Sequence, residues 1–240
     1  MTLSFFVSHW TIWPPPEIET EDLNEMQSKA LSKIPMMLRR RLTPLARMVM
    51  TAVSQCLQDE SEMMPSVFSS AHGELAKSFK MLQQINELEE ISPTGFSLSV
   101  HNSIAGLFAM AYRNQNQTTV IAPSEDGMAP GFLEALGLLG EMNDSEGKVL
   151  LVYYDEPLEP FYPADNYRLS VDYPFVLAMI VSKNAPGLKL TLTKTDKSEK
   201  GVEQPVQVPV FADFLNSNQT SVEFTMKRHS WQWKKDALLD

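Results

Sequence analysis

The chain has 240 residues, 43% hydrophobic and 21% charged, which excludes a disordered or fibrous class and suffices for one large core or two small ones. Acidic residues outnumber basic ones 30 to 20, and a net charge of −10 is the wrong sign for a surface that neutralises phosphates, so no nucleic-acid partner is expected. The one cysteine, Cys56, excludes an internal disulfide and a cysteine-rich zinc cluster and fits a reducing, cytoplasmic setting. The start, Met1-Thr-Leu-Ser-Phe-Phe-Val, lacks the basic region of a signal peptide. The most apolar later stretch, Phe175 to Val181, is far shorter than the roughly 20 residues of a spanning helix, so no membrane association is expected. The 14 methionines read as adaptable core filling.

Residues Phe5 to Trp13, aromatic and β-branched, predict a strand ended by Pro14-Pro15-Pro16. Residues 17–33 predict a loop or a frayed helix. Leu42, Leu45, Ala46, Val49, Met50, Val53 and Leu57 recur at steps of three and four and predict one apolar helix face, with Cys56 beside it as a buried, inert thiol. Arg39-Arg40-Arg41, just before that face, reads as a solvated helix start or as a docking point for an acidic partner.

Val67-Phe68-Ser69-Ser70 predicts a short strand running into a helix with Leu75, Phe79, Leu82, Ile85 and Leu88 on one face, ended by Ser92-Pro93. Phe96, Leu98 and Val100 alternate with polar residues and predict a strand or extended arm, followed by a compact helix over 103–112. Thr118 to Ala122 predicts another strand, and Pro123-Ser124-Glu125-Asp126 opens a helix through about Met142 with Ser124 or Asp126 as its cap. Lys148 to Tyr154 predicts a buried strand, and Asp155 to Tyr173 an acidic loop. Phe175–Ser182, Leu188–Thr193 and Val222–Trp233 predict three further strands, with a polar insertion at 194–205. No linker or repeat divides the chain, which predicts one α/β domain.

Site chemistry is sparse. His9, His72, His101 and His229 lack metal-ligand spacing, so no metal is expected. There is no glycine-rich phosphate loop, no Gly-x-Ser-x-Gly elbow and no marked acid/base pair, and no cofactor is expected.

Four segments in order carry a resemblance. Ser92-Pro-Thr-Gly-Phe-Ser-Leu-Ser-Val-His-Asn-Ser-Ile-Ala-Gly106 resembles the β-ketoacyl synthase segment before the nucleophile strand. Arg39-Arg-Arg-Leu-Thr-Pro-Leu-Ala-Arg-Met48 resembles that family's early helix, Val67-Phe-Ser-Ser-Ala-His-Gly-Glu-Leu75 the strand and glycine turn after it, and Lys148-Val-Leu-Leu-Val-Tyr-Tyr-Asp-Glu156 the strand leaving the nucleophile helix. The matches span residues 36–156, and the likeness is greatest to short ketosynthase-like proteins of aryl polyene clusters. The resemblance implies a single thiolase-like half, a mixed sheet with helices packed on both faces, truncated relative to full ketosynthases. Residues 1–240 then form one ketosynthase-like domain, with 157–240 as a strand-rich C-terminal tail.

In the family the strand at 118–122 leads to a cysteine at a helix N-terminus. Here Ser124 occupies that slot, or Glu125 after a one-residue slip. Serine needs an activating base, and Glu125 and Asp126 disfavour an oxyanion, so Ser124 reads first as a helix cap. His229 lacks the glycine and threonine neighbours of the family's decarboxylating histidines and is not assigned that role. The resemblance therefore implies a subunit without catalytic residues, similar to a chain-length factor, that forms a heterodimer with a catalytic ketosynthase and meets an acyl carrier protein directly or through it. Thr118, Thr119, Val120, Ile121 and Ala122 are the expected partner edge. Phe96, Leu98, Val100, Ile104, Leu107 and Phe108 are the expected walls of the acyl channel. The alternative is an acyl-transferring or hydrolysing enzyme using Ser124 with His72 or His101 as base, and a third reading is a free-standing carrier-protein binder using Arg39–Arg41.

Overall fold

Strand β1 (Thr2–Trp13) opens the chain and pairs along both edges with strands from the last third of the sequence. The computed structural model describes residues 1–15, 20–58, 60–123, 126–143, 146–158, 160–162, 171–184, 186–197, 203 and 206–236. The remaining elements in chain order are α1 (Thr20–Ser32), α2 (Met36–Arg39), α3 (Pro44–Cys56), β2 (Ser66–Ser69), α4 (Leu75–Asn86), α5 (Pro93–Ser97), α6 (Ser103–Tyr112) and β3 (Thr118–Ile121). Then come α7 (Ala129–Glu141), β4 (Lys148–Asp155), β5 (Phe175–Ser182), β6 (Leu188–Asp196), α8 (Val208–Asn216), β7 (Ser221–Thr225) and β8 (His229–Lys235).

The strands form one mixed sheet in the order β3-β2-β4-β5-β1-β6-β8-β7. β3, β2 and β4 run parallel, and every later neighbour in that order is antiparallel. Buried β4 and β5 divide the interior by their two-residue period. Val149, Leu151 and Tyr153 of β4 and Leu177, Met179 and Val181 of β5 point into one core with α7 and α8. Leu150, Val152 and Tyr154, with Val176, Ala178 and Ile180, point into a second core with α1, α3 and α6. Helices thus cover both faces, as the resemblance implies. On the first face the curled end of the sheet closes over α7, where Phe132 meets Phe211 and Trp233 at ring separations of 5.5 and 5.7 Å. Among the described residues no helix is long and apolar enough to cross a membrane.

Several expectations change. Residues 20–32 form a regular helix, and Ala30, Leu31 and Ile34 at its end are buried. Cys56 is buried as expected, and burial, with Glu60 second, pushes its thiol up to about 12. The alternation of Phe96, Leu98 and Val100 is not a strand. Ser92 accepts the Gly95 N–H at 3.3 Å, Pro93 takes the first helical position, and the short helix α5 forms. Ser92-Pro93 therefore opens a helix, while α4 has already stopped at Asn86.

Asp126 does not cap α7. The chain reverses at Gly127, the cap position is Met128 without a side-chain bond, and Ser124 lies outside the described residues. The stretch 222–233 is a hairpin of two strands, closed by Met226 N–H donating to His229 O at 2.8 Å. Helix α8 falls where the sequence reading places no element, although Phe211, Ala212, Phe214 and Leu215, all buried, carry helical spacing after Pro209.

Candidate functional site

The carboxyl ends of β2, β3 and β4 and the start of α7 meet at one end of the sheet, where open α/β folds hold ligands. Asp155, last in β4, is buried there and gathers the turn after β2. Its carboxylate accepts from Ser70 Oγ at 2.7 Å, Ala71 N at 2.9 Å and His72 N at 3.0 Å. Burial pushes the Asp155 carboxyl above its ordinary value, and these donors pull it back. Gly73 follows with φ +57, and a Cβ there would meet the His101 ring at 2.8 Å. His101 Nε2 faces the Ser70 carbonyl at 2.8 Å and so donates to it.

The same turn positions Glu74, buried, whose Oε1 accepts from Thr43 Oγ1 at 2.6 Å, the hydroxyl that also caps α3 through Ala46 N at 3.0 Å. Burial raises the Glu74 carboxyl above its ordinary 4.5, opposed by Thr43 and by Lys77. A carboxyl raised in the folded state contributes stability below its unfolded value, and that contribution is lost as pH rises through the folded value. Glu74→Gln, which keeps the Thr43 bond without the charge, is therefore expected to weaken the fall in stability above pH 4.5. Urea unfolding from about pH 4 to pH 8 reads that slope, and an unchanged slope counts against a buried charge here.

At the start of α7, Tyr153 Oη donates to Met128 O at 2.7 Å, and Gln207 Oε1 accepts from Met128 N at 3.0 Å. A cavity of about 40 Å³ lies between Ser69, Ala71, Pro123, Gly127, Asp155 and Gln207. His229 Nε2 stands 3.0 Å from Asp126 Oδ1. Ser124 and Glu125, the expected slot of the nucleophile, lie outside the described residues. The two histidines weighed as a base for Ser124 sit on the Ser70 side, with His101 bonded to a carbonyl and the His72 backbone bonded to Asp155. No group of three or more potential metal ligands occurs among the described residues.

The expected partner edge is a sheet margin. β3 pairs with β2 on one side, and no strand among the described residues meets its other side. Residues 118–121 are half-buried, Ala122 is exposed, and Thr119 Oγ1 donates to Glu134 Oε1 at 2.9 Å. The six expected channel residues separate. Ile104, Leu107 and Phe108 lie inside the second core, Leu98 is half-buried against it, and Phe96 (59% exposed) and Val100 face outward.

Phe96 is exposed on α5, which contacts α4, and Leu82 and Ile85 of α4 and Leu88 just after it are exposed as well. The helix period of α4 was legible, but α4 buries none of its residues within the chain. Arg40 and Arg41 are exposed beside exposed Met36 and Met37.

This geometry has relatives. The chain matches, with TM-score 0.77 and 25% identity, 97% of itself against 100% of a chain in the structure of a ketosynthase in complex with its chain length factor from Xenorhabdus doucetiae. It also matches the ishigamide ketosynthase/chain length factor (TM-score 0.59, 12% identity, 82% of this chain and 69% of that one). A third match is to a chain in the structure of a type II polyketide synthase acyl-carrier protein in complex with its ketosynthase (TM-score 0.53, 12% identity, 92% of this chain and 76% of that one). No curated protein matches it in sequence. The fold is the thiolase-like half of the ketosynthases. The β-ketoacyl synthase N-terminal domain matches residues 10–234, from within β1 to within β8, and the chain belongs to that family.

Proposed function

We propose that this chain is a non-catalytic, chain-length-factor-like subunit. It forms a heterodimer with a catalytic ketosynthase and shapes the channel that receives a growing acyl chain, in biosynthesis of the aryl polyene type. The observation that carries this reading is the match over the whole length of a chain from a ketosynthase and chain length factor complex. Two surface features support it. β3 offers open backbone donors and acceptors to a partner strand, and the face formed by α4, α5 and Leu88 exposes large apolar side chains that a chain working alone has no reason to leave in water. The channel wall is then Phe96, Leu98 and Val100, because Ile104, Leu107 and Phe108 are taken up by the chain's own core.

Co-expression with a catalytic ketosynthase of the aryl polyene type tests the pairing. The expected result is one complex on size exclusion, and a changed product length when this chain is omitted. Separate elution of the two chains with products unaltered by the omission ends the proposal.

The carrier protein is assigned to the Arg40 and Arg41 surface. In a chain of net charge −10 these exposed guanidinium groups are a local basic site, and Met36 and Met37 add adaptable apolar contact. Reversing both charges (Arg40→Glu with Arg41→Glu) is expected to weaken carrier-protein binding about tenfold or more at low salt. The ketosynthase complex should stay intact, and titration calorimetry at two ionic strengths reads the difference. Equal affinity for the variant removes the carrier protein from this surface.

A further inference from the structure

Residues 126–128, where the chain turns into α7, lie against side chains from the 207–229 region. Gln207, only 2% exposed, reaches across the fold with its Oε1 on Met128 N at 3.0 Å and its Nε2 2.8 Å from Met226 Sδ. Gly127 has φ +59, and a Cβ there would come within 2.4 Å of the Gln207 carboxamide. The glycine is thus required twice, for the left-handed turn and for the space that the amide fills. On the other side His229 Nε2 lies 3.0 Å from Asp126 Oδ1.

The first turn of a helix leaves backbone N–H groups without intrahelical acceptors, and a carbonyl or anionic ligand satisfies them when that end is open. Here the end abuts the crevice at the carboxyl ends of β2, β3 and β4, and the carbonyl comes from the chain itself. We propose that Gln207 is a built-in occupant of that crevice: its carboxamide takes the place of an external acyl carbonyl at the start of α7. The inference goes beyond the subunit proposal and stands on contacts within one chain. It closes the crevice to small carbonyl compounds whether or not a ketosynthase is bound.

Gln207→Ala removes a fragment with the size and groups of acetamide and joins its volume to the 40 Å³ cavity. The variant is expected to melt about 4–8 °C lower. Acetamide at about 100 mM should then raise its melting temperature in a saturable way while leaving the wild type unmoved. The Met128 amide proton should exchange about five- to tenfold faster in the variant and slow again with acetamide. Gln207→Met fills the space without a carbonyl, so it should show the faster exchange and no response to acetamide.

Acetamide acting on wild type and Gln207→Ala alike, or on neither, overturns the proposal. So does wild-type Met128 exchange in Gln207→Met, which decides the matter if the alanine variant does not fold. Because co-purification with a ketosynthase is scored on the wild type, the two proposals fail separately.

Discussion

Leu88→Asn is expected to make the isolated chain more stable and to cost it most of its affinity for a ketosynthase. α4 ends in a paired closure in which Glu89 N–H donates to Gln84 O at 2.9 Å and Leu88 N–H to Ile85 O at 3.1 Å. The residue between these bonds must be left-handed, a position that glycine or asparagine ordinarily fills. Leu88 holds it at φ 58 with its side chain 94% exposed. A leucine there costs about 1–2 kcal/mol of backbone strain and returns nothing within this chain. Asparagine relieves much of that strain, for a gain of about 2–4 °C in melting temperature. Burying a leucine at an interface is worth about 1.5–3 kcal/mol, so its loss should weaken pairing about 10- to 150-fold. Thermal melts of the variant alone and titration against the ketosynthase read the two signs separately. Unchanged pairing affinity takes the face formed by α4 and α5 out of the interface.

Phe132→Ala is expected to lose about 3–5 kcal/mol of stability, enough to unfold much of the population of a marginal domain. Phe132 is fully buried at the centre of the first core, its ring 5.3 Å from Phe5 of β1, 5.9 Å from Tyr153 of β4, 5.5 Å from Phe211 of α8 and 5.7 Å from Trp233 of β8. These partners come from four elements far apart in sequence, so no small movement of one fills the void. Denaturant unfolding of Phe132→Ala beside Phe96→Ala, whose ring is mostly in solvent, gives the measurement its control. A loss below about 1.5 kcal/mol means that the aromatic cluster repacks and that α7 is less firmly enclosed than its contacts imply.

What the sequence discloses follows the range of the interaction. β4 and β5 are buried on both faces, so their composition alone marks them, and α3 announces itself by the spacing of Leu45, Val49 and Val53. The thiolase-like half was legible through ordered segments rather than through any one residue. The sequence over α5 predicts a strand because three alternating apolar residues fit a strand as well as a helical turn, and the Ser92 cap decides between them. Phe96 and Phe108 are the same residue type, but α6 packs Phe108 into the core while α5 buries none of its residues and leaves Phe96 at the surface. Gln207 carried no local signal at all. Its partner Met128 is 79 residues away, and neither neighbourhood hints at the other.

The place of β1 fixes the order in which the sheet can be finished. Phe6 pairs with Ser182 on one edge and with Lys189 on the other. During synthesis β1 thus has no sheet neighbour until β5 and β6 have left the ribosome. Until then a twelve-residue strand carrying Phe5, Val7 and Trp13 has both margins open. Closing loops of this length makes assembly slow compared with a fold of local hairpins. Yield in a heterologous host should accordingly follow chaperone capacity and growth temperature more closely than the stability of the finished molecule.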